Sequence, residues 1–281
     1  MTSRTDPARL GFSVFTAPEK ALVGERPKPF GPPLGFDAAT STLIYGAYDA
    51  VLVDALHTVA EATALADWVG LHHRNLTTIY ITHGHLDHFY GLSVLLDRFP
   101  NAKAIATPKT VELIEQTDPE LSRFFESLLP GQSAPKITAP EPISGDTFTL
   151  ERHELRIIEQ GQTDTLHSTS LHIPSIDLVV AGDVLYNKCH MYVGETTPES
   201  RDNWIAALDR LTALHPKHAV AGHKKTGAPD TPETIEESQQ YLRDFGRLKE
   251  STLSDEELFN EMGKLYPDWA SHQSWLMFGF S

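Results

Sequence analysis

Three histidines and one aspartate lie within six residues of the sequence, in the run HGHLDH at residues 83–88. Neutral imidazole and carboxylate are donors that zinc, iron and manganese take in proteins. The run follows a β-branched segment, so the chain turns there. His83 and His85 can converge on one point, and Asp87 and His88 can aim at a second. A solvated polar loop is the alternative, but this density of donors directly after a strand favours a metal site.

The elements around this run must place it at the end of a strand. Strand patterns lie at residues 12–15, 41–45, 50–54, 76–81, 102–106, 147–150, 154–159, 170–173, 178–181 and 218–221. Helical patterns lie at residues 58–70, 88–99, 107–129 with a break at Pro119, 198–214, and from Pro232 and Ser254 onwards. The result is two strand-rich halves, each flanked by helices.

These two halves predict an α/β fold, a four-layer αβ/βα sandwich with two mixed sheets inside and helices outside. We expect one domain over residues 1–281. Residues 1–39, rich in proline and glycine apart from the strand pattern at 12–15, are predicted to be mainly irregular. Residues 230–281 are predicted to hold the C-terminal helices.

The histidine run resembles the His-x-His-x-Asp-His signature of the metallo-β-lactamase superfamily, whose fold is the same sandwich. Other motifs of that family follow in order. Asp54 matches the aspartate of its early Val-Asp motif, in a supporting role. Asp183 resembles the aspartate of its Gly-Asp motif, whose carboxylate bridges two metals, and His223 resembles its late Gly-His. The resemblance therefore covers most of the chain.

The resemblance implies two metal sites that share one carboxylate. The ligands implied for the first site are His83, His85 and Asp183, and for the second Asp87, His88, Asp183 and His223. The family usually completes the first site with the histidine of a Gly-His-Thr motif, where this chain has Gly-Gln-Thr-Asp. Gln162, Asp164 or His167 can replace that histidine, or all three can be structural. With Gln162 as the ligand, we expect the first site to bind its metal more weakly.

The function implied is that of a hydrolase with two divalent metal ions, zinc in the first place and manganese or iron as alternatives. A hydroxide held by such ions forms near neutral pH, because they lower the pKa of a bound water from about 15.7 towards 7. Asp87 would orient this nucleophile or shuttle its proton. The expected substrate is a small carboxylic-acid derivative: an ester, lactone, thioester or amide.

Candidate substrate contacts follow Asp183 in the sequence, where aromatic, apolar and polar residues alternate. Tyr186 and His190 are the two candidates, with core packing and a solvated turn as their respective alternatives. The aromatic residues near the end of the chain can roof the pocket or bury a last helix: Trp269, Trp275, Phe278 and Phe280.

Other function classes are disfavoured by composition. The 23 lysines and arginines against 38 aspartates and glutamates give a net charge of −15, which repels nucleic acid. A mononuclear-iron oxidoreductase of the persulfide dioxygenase type is the main alternative, and the second ligand set argues against it. A non-catalytic sensing module is a further alternative. It predicts weak metal binding, whereas the ligand set is almost complete.

Partners and location follow from what the sequence lacks. No apolar run approaches the roughly 20 residues of a membrane span, and the N-terminal stretch lacks the apolar segment of a secretory signal. A single cysteine, Cys189, excludes an internal disulfide. We therefore expect a cytoplasmic enzyme with a small-molecule substrate and neither a nucleic-acid nor a membrane partner. The sequence does not indicate its oligomeric state.

Overall fold

The computed structural model describes residues 9–25, 28–134, 136–251, 253–269 and 276–277. The strands are β1 (Gly11–Thr16), β2 (Lys20–Ala21), β3 (Gly35–Phe36), β4 (Thr40–Tyr45), β5 (Asp49–Val53), β6 (Asn75–Tyr80), β7 (Lys103–Ala106), β8 (Glu141–Pro142), β9 (Thr147–Leu150), β10 (His153–Gly161), β11 (Ser168–Ile173), β12 (Leu178–Val180), β13 (Tyr186–Asn187), β14 (His218–Val220) and β15 (His223–Lys224). The α-helices are α1 (Val59–Leu71), α2 (Leu86–Phe89), α3 (Leu92–Arg98), α4 (Pro108–Glu115), α5 (Pro119–Leu128), α6 (Pro198–Thr212), α7 (Glu233–Glu250) and α8 (Asp255–Leu265).

Two mixed sheets form the centre of the molecule. The first has six strands in the order β1-β4-β5-β6-β7-β8, and the second has five in the order β14-β12-β11-β10-β9. In the first sheet β5, β6, β7 and β8 run parallel to one another. β4 pairs antiparallel with β5, and β1 pairs antiparallel with β4. In the second sheet β12 and β14 are parallel and the other pairs are antiparallel.

Three apolar clusters show how the layers pack. Between the sheets, residues such as Val51 and Tyr80 meet Leu171 and Val180. The outer face of the first sheet packs on α1, α3 and α4, and the outer face of the second packs on α6, α7 and α8. Helices therefore cover both outer faces of two stacked sheets, and the predicted four-layer sandwich is confirmed.

The parallel pairs place particular residues at one edge of the sandwich. Because β5 and β6 are parallel, Asp54 and Thr82 follow them at the same end of the first sheet. The parallel strands β12 and β14 likewise bring together the segments that follow them, which carry Asp183 and His223. Loops at the carboxyl ends of parallel strands are where open α/β sheets bind ligands.

The structure corrects two sequence predictions. The helix predicted at 88–99 is split into α2 and α3, because two backbone groups there bond to the segment before α1: the carbonyl oxygen of His88 accepts from the N–H of Ala55, and the N–H of Gly91 donates to the carbonyl oxygen of Leu56. A side-chain carbon on Gly91 would lie 2.1 Å from the carbonyl oxygen of Ala55, so glycine permits this close approach. Part of the segment 1–39, predicted to be mainly irregular, belongs to a sheet: β1 pairs with β4 over six residues, extending the strand predicted at 12–15. Trp275, Phe278 and Phe280, which were expected to roof the pocket or bury a last helix, lie outside the described residues.

None of the helices in the described part of the chain combines the length and the apolar content that a membrane span requires.

We expect Leu171→Ala to lower the free energy of unfolding by about 2–5 kcal/mol, since it opens a cavity between the two sheets. Leu171 is fully buried there. The matched control is Leu71→Ala, because Leu71 is 72% exposed at the end of α1 and its loss should change stability little. Urea denaturation followed by circular dichroism measures both, and equal stability of the two variants would contradict the packing described.

Candidate metal centre

Two groups of mostly buried side chains come together at the carboxyl edge of the sheets. In each group, ligand atoms of different residues lie within 4.8 Å of one another. The first group is His83, His85, Asp164 and Asp183, and the second is Asp87, His88 and His223. The structure thus brings together every residue that the sequence analysis named for the two sites, except Gln162 and His167.

Asp183 lies between the two groups. Its Oδ1 is 3.1 Å from Nε2 of His88, and its Oδ2 is 3.2 Å from Nε2 of His223. Nε2 of His83, in the first group, is 3.9 Å from the same Oδ2. The Tyr186 hydroxyl donates a hydrogen bond of 3.0 Å to Oδ2 and fixes the orientation of this carboxylate. One carboxylate therefore faces both groups.

Two glycines permit this placement of Asp183. Gly182 has φ +55°, and a side-chain carbon there would lie 2.7 Å from Oγ1 of Thr82. A side-chain carbon on Gly222 would lie 1.9 Å from Oδ1 of Asp183 itself. The Gly-Asp and Gly-His pairs of the sequence are therefore steric requirements of the site, because a larger residue at either position would displace neighbouring atoms.

Asp54 orients the imidazole of His88 directly and that of His83 through Thr82. Its Oδ2 accepts a hydrogen bond of 2.9 Å from Nδ1 of His88, which leaves Nε2 to face the group. The backbone N–H of Thr82 donates to Oδ1 of this carboxylate at 2.9 Å, and the Thr82 hydroxyl donates to its Oδ2 at 2.9 Å. Nδ1 of His83 lies 2.9 Å from the Thr82 hydroxyl oxygen, so its Nε2 too is directed at the group. Such partners hold ligand imidazoles in place and set their tautomer.

Asp164, and not Gln162, occupies the place left open by the sequence analysis. Oδ1 of Asp164 accepts hydrogen bonds from the hydroxyls of Thr163 at 2.9 Å and Ser168 at 3.3 Å. Its Oδ2 then faces the group, 2.9 Å from Nδ1 of His85. Gln162 instead donates to the carbonyl oxygen of Glu195 at 3.1 Å. A weaker first site, which was predicted for Gln162 as the fourth ligand, is therefore not expected with Asp164 in that place.

Burial and mutual charge set the protonation of these groups. Burial lowers the pKa of His83 to about 3, with the charge on His88 adding to the effect, so His83 is neutral. Burial opposes a charge on His88 and His223 as well, but the Asp183 carboxylate beside them raises both pKa values, that of His223 to about 9. Burial also opposes ionisation of Asp87, yet the adjacent His88 holds its pKa well below the usual range.

The donor set fits divalent metal ions. Several buried ligand atoms have no hydrogen bond of acceptable geometry within the described residues: Nε2 of His83, Nε2 of His88, Oδ2 of Asp87, Oδ2 of Asp164 and Oδ1 of Asp183. Leaving a buried polar atom without a partner costs about 1–3 kcal/mol. A cation at each group would satisfy these atoms, and nitrogen with carboxylate oxygen suits zinc, manganese or iron.

A pocket of about 180 Å³ opens onto the two groups. Asp87, His85 and Asp183 lie in its wall with Tyr186. The remaining wall is mostly apolar and comes from the N-terminal loops, from α5 and from the segment after β13: Leu22, Phe36, Leu121, Phe124, Phe125, Leu128 and Tyr192. Substrate would reach the candidate metal centre through this pocket.

The two predicted substrate contacts have different outcomes. Tyr186 lines the pocket, but its hydroxyl is engaged with Asp183 and its ring stacks on His223 at 5.5 Å. His190 does not line the pocket. It is buried against Tyr241 and Trp269, where burial lowers its pKa to about 4. Its side chain packs there, while Tyr192 and Glu195, later in the same segment, line the pocket.

Sequence analysis missed Glu195. Its Oε1 accepts a hydrogen bond of 3.1 Å from Nε2 of His85, and its Oε2 accepts one of 2.8 Å from the Thr165 hydroxyl. The side chain is 46% exposed at the rim of the pocket. No motif marks it, since an isolated glutamate in a turn before α6 resembles any solvated acidic residue.

Comparison with known proteins agrees with this geometry. Residues 34–223 match the family model described as the Metallo-beta-lactamase superfamily. A metallo-beta-lactamase from Pontibacter korlensis superposes with a TM-score of 0.61 at 15% identity, covering 85% of this chain and 97% of its own. A metallo-beta-lactamase family protein from Thermus thermophilus gives 0.64 at 18%, covering 96% and 90%.

A third solved structure is a metallo-beta-lactamase from Pseudomonas aeruginosa in its mono-zinc form, with a TM-score of 0.56 at 14% identity, covering 75% of this chain and 85% of its own. No curated protein sequence matches the chain. At these identities the solved structures establish the sandwich fold, and the chemistry has to be argued from the site.

We expect Asp164→Ala to weaken the binding of one of the two metal ions by at least about tenfold. Even residues that only hydrogen-bond to a metal ligand typically contribute 10–100-fold to metal affinity, and a direct ligand should contribute no less. Gln162→Ala is the matched control two residues away, and it should change neither affinity appreciably. Titration of metal-free protein with zinc against a chromophoric chelator measures both. Loss of affinity in the Gln162 variant alone would mean that the amide, not the carboxylate, is the ligand.

Proposed function

Since the chain belongs to the metallo-beta-lactamase superfamily, we propose that it is a two-metal hydrolase that cleaves a small carboxylic-acid derivative: an ester, lactone, thioester or amide. In such a reaction water adds to the carbonyl carbon, the bond to the leaving group breaks, and the leaving group departs with a proton. The proposed metal is zinc, with manganese or iron as alternatives.

The observation that carries this proposal is the position of Asp183 between two sets of ligand atoms. His83, His85 and Asp164 lie on one side of it, and Asp87, His88 and His223 lie on the other. A mononuclear-iron oxidoreductase would need only one set of metal ligands. Complete donor sets on both sides of one carboxylate, opening on a pocket, favour hydrolysis.

When bound, the metal ions would supply an activated water and a Lewis acid for the carbonyl oxygen. The chain's own residues do the rest. Tyr186 and Asp54 hold the Asp183 carboxylate and the His88 imidazole in fixed orientations through their hydrogen bonds. Preorganised groups of this kind stabilise a transition state without having to reorient during the reaction.

Asp87 is our candidate for handling the proton. It lies in the wall of the pocket, with Oδ2 3.0 Å from Nε2 of His223 and 3.4 Å from Nε2 of His88. As a carboxylate oxygen, its Oδ2 can accept a hydrogen bond from the attacking water and take its proton.

Metal analysis combined with a substrate panel tests the proposal. The protein should contain up to two metal ions per chain after reconstitution. It should hydrolyse at least one of a set of chromogenic esters, lactones, thioesters and β-lactams, and chelation should abolish this activity. One iron per chain with oxygen consumption on a persulfide would overturn the proposal in favour of the oxidoreductase.

We expect Asp87→Ala to lower kcat at least about 100-fold, the lower range for loss of a general acid or base. The fold should persist, because Asp87 is at the pocket wall and not in an apolar cluster. Asp202→Ala, at an exposed position of α6, is the control and should keep full activity. Retention of a tenth or more of kcat by the Asp87 variant would exclude the proton-handling role.

A further inference from the structure

The pocket wall is apolar on one side and acidic on the other. None of the described residues that line it is a lysine or an arginine, while three are carboxylates: Asp87, Asp183 and Glu195. Lys20 packs over Phe36, with its ammonium 5.0 Å from the ring centroid, but it is paired with Glu61. The charge of Lys20 behind this part of the wall is therefore compensated.

The metal ions proposed above do not supply a surplus of positive charge either. Two divalent cations would bring four positive charges. The carboxylates of Asp87, Asp164, Asp183 and Glu195 match these with four negative charges, and Asp54, in contact with His88, adds a fifth. In this chain, an anionic group remote from the reacting carbonyl gains no net attraction from the site.

The size of the pocket limits the apolar part of a substrate. Its volume is about 180 Å³, while a cavity of about 150 Å³ lined by aliphatic and aromatic side chains binds benzene. An apolar group of at most about six or seven heavy atoms therefore fits in it. Leu121 and Phe124 extend the apolar surface to the rim, where they are 44% and 47% exposed.

We propose that the substrate is a neutral ester or lactone with a short apolar acyl group, and that a second, anionic group on the substrate is disfavoured. This inference rests on the proposed hydrolytic function and narrows it. It separates the chain from β-lactam hydrolysis, because β-lactam antibiotics carry a carboxylate next to the ring that is opened.

A matched pair of substrates tests the charge preference. 4-Nitrophenyl butyrate and 4-nitrophenyl hemisuccinate have similar length and the same leaving group, but only the second carries a carboxylate. We expect kcat/KM of the metal-loaded enzyme to be at least tenfold higher for the butyrate. From acetate to hexanoate, kcat/KM should rise by up to about fourfold per methylene, the effect of burying one such group. Preference for the hemisuccinate, or no dependence on chain length, would overturn the inference.

Leu121→Lys tests the same point by adding a cation at the rim without touching the ligands. It should raise kcat/KM for the hemisuccinate relative to the butyrate by about two- to fivefold, the range for an exposed ion pair. Leu71→Lys carries the same substitution at an exposed position that does not line the pocket, and it should leave the ratio unchanged. An unchanged ratio in the Leu121 variant would contradict the assignment of this rim as the acyl-binding surface.

A binding measurement distinguishes failure of the inference from failure of the proposed function. Saturation-transfer NMR compares hexanamide with adipamic acid, the same amide with a terminal carboxylate, on the metal-loaded protein. Preferential binding of hexanamide supports the inference even where no ester is hydrolysed, in which case only the proposed reaction fails. Equal or stronger binding of adipamic acid overturns the inference, even where esters are hydrolysed.

Discussion

The structure depends on the burial of carboxylates beside imidazoles at a single edge of the two sheets. An isolated buried charge is expensive, so each of these groups needs a partner of opposite charge or a cation. Asp183 meets this constraint for both groups, because its oxygens face His88 and His223 of the second group while Oδ2 lies 3.9 Å from Nε2 of His83 in the first. Gly222 leaves room for that carboxylate, since a side-chain carbon there would lie 1.9 Å from Oδ1 of Asp183, and Gly182 leaves room for Thr82, 2.7 Å from where its side-chain carbon would be.

The interior of the sandwich is connected directly to the site. The hydroxyl of Tyr80, in the core between the sheets, lies 2.6 Å from that of Thr169. Thr169 donates to the carbonyl oxygen of Thr82, and Thr82 in turn donates to Asp54. The second sheet thereby fixes the turn of the first sheet that carries the histidine run. The packing of the two sheets and the positions of the candidate ligands are therefore coupled, so that displacement of a strand would also displace a candidate ligand.

The sequence was enough to predict those residues of the site that directly follow a strand. The histidine run, Asp183 and His223 each follow an apolar strand, and the resemblance of these motifs in this order to the metallo-β-lactamase superfamily implied the fold and the ligand sets together. The choice between Gln162 and Asp164 did not follow from spacing. It depends on the turn in which the backbone N–H of Thr163 donates to the carbonyl oxygen of Thr165, a local conformation that directs one side chain inward and the other away. Glu195 could not be found either, because its contact with His85 is made across 110 residues of chain.

The most direct test of this account is anomalous X-ray diffraction from crystals of the metal-loaded protein. The account predicts two peaks. One should lie about 2.0–2.2 Å from nitrogen and oxygen ligands that include Asp164, and both should be in contact with Asp183. A single peak, or two peaks of which one is bound by Gln162 in place of Asp164, would contradict it.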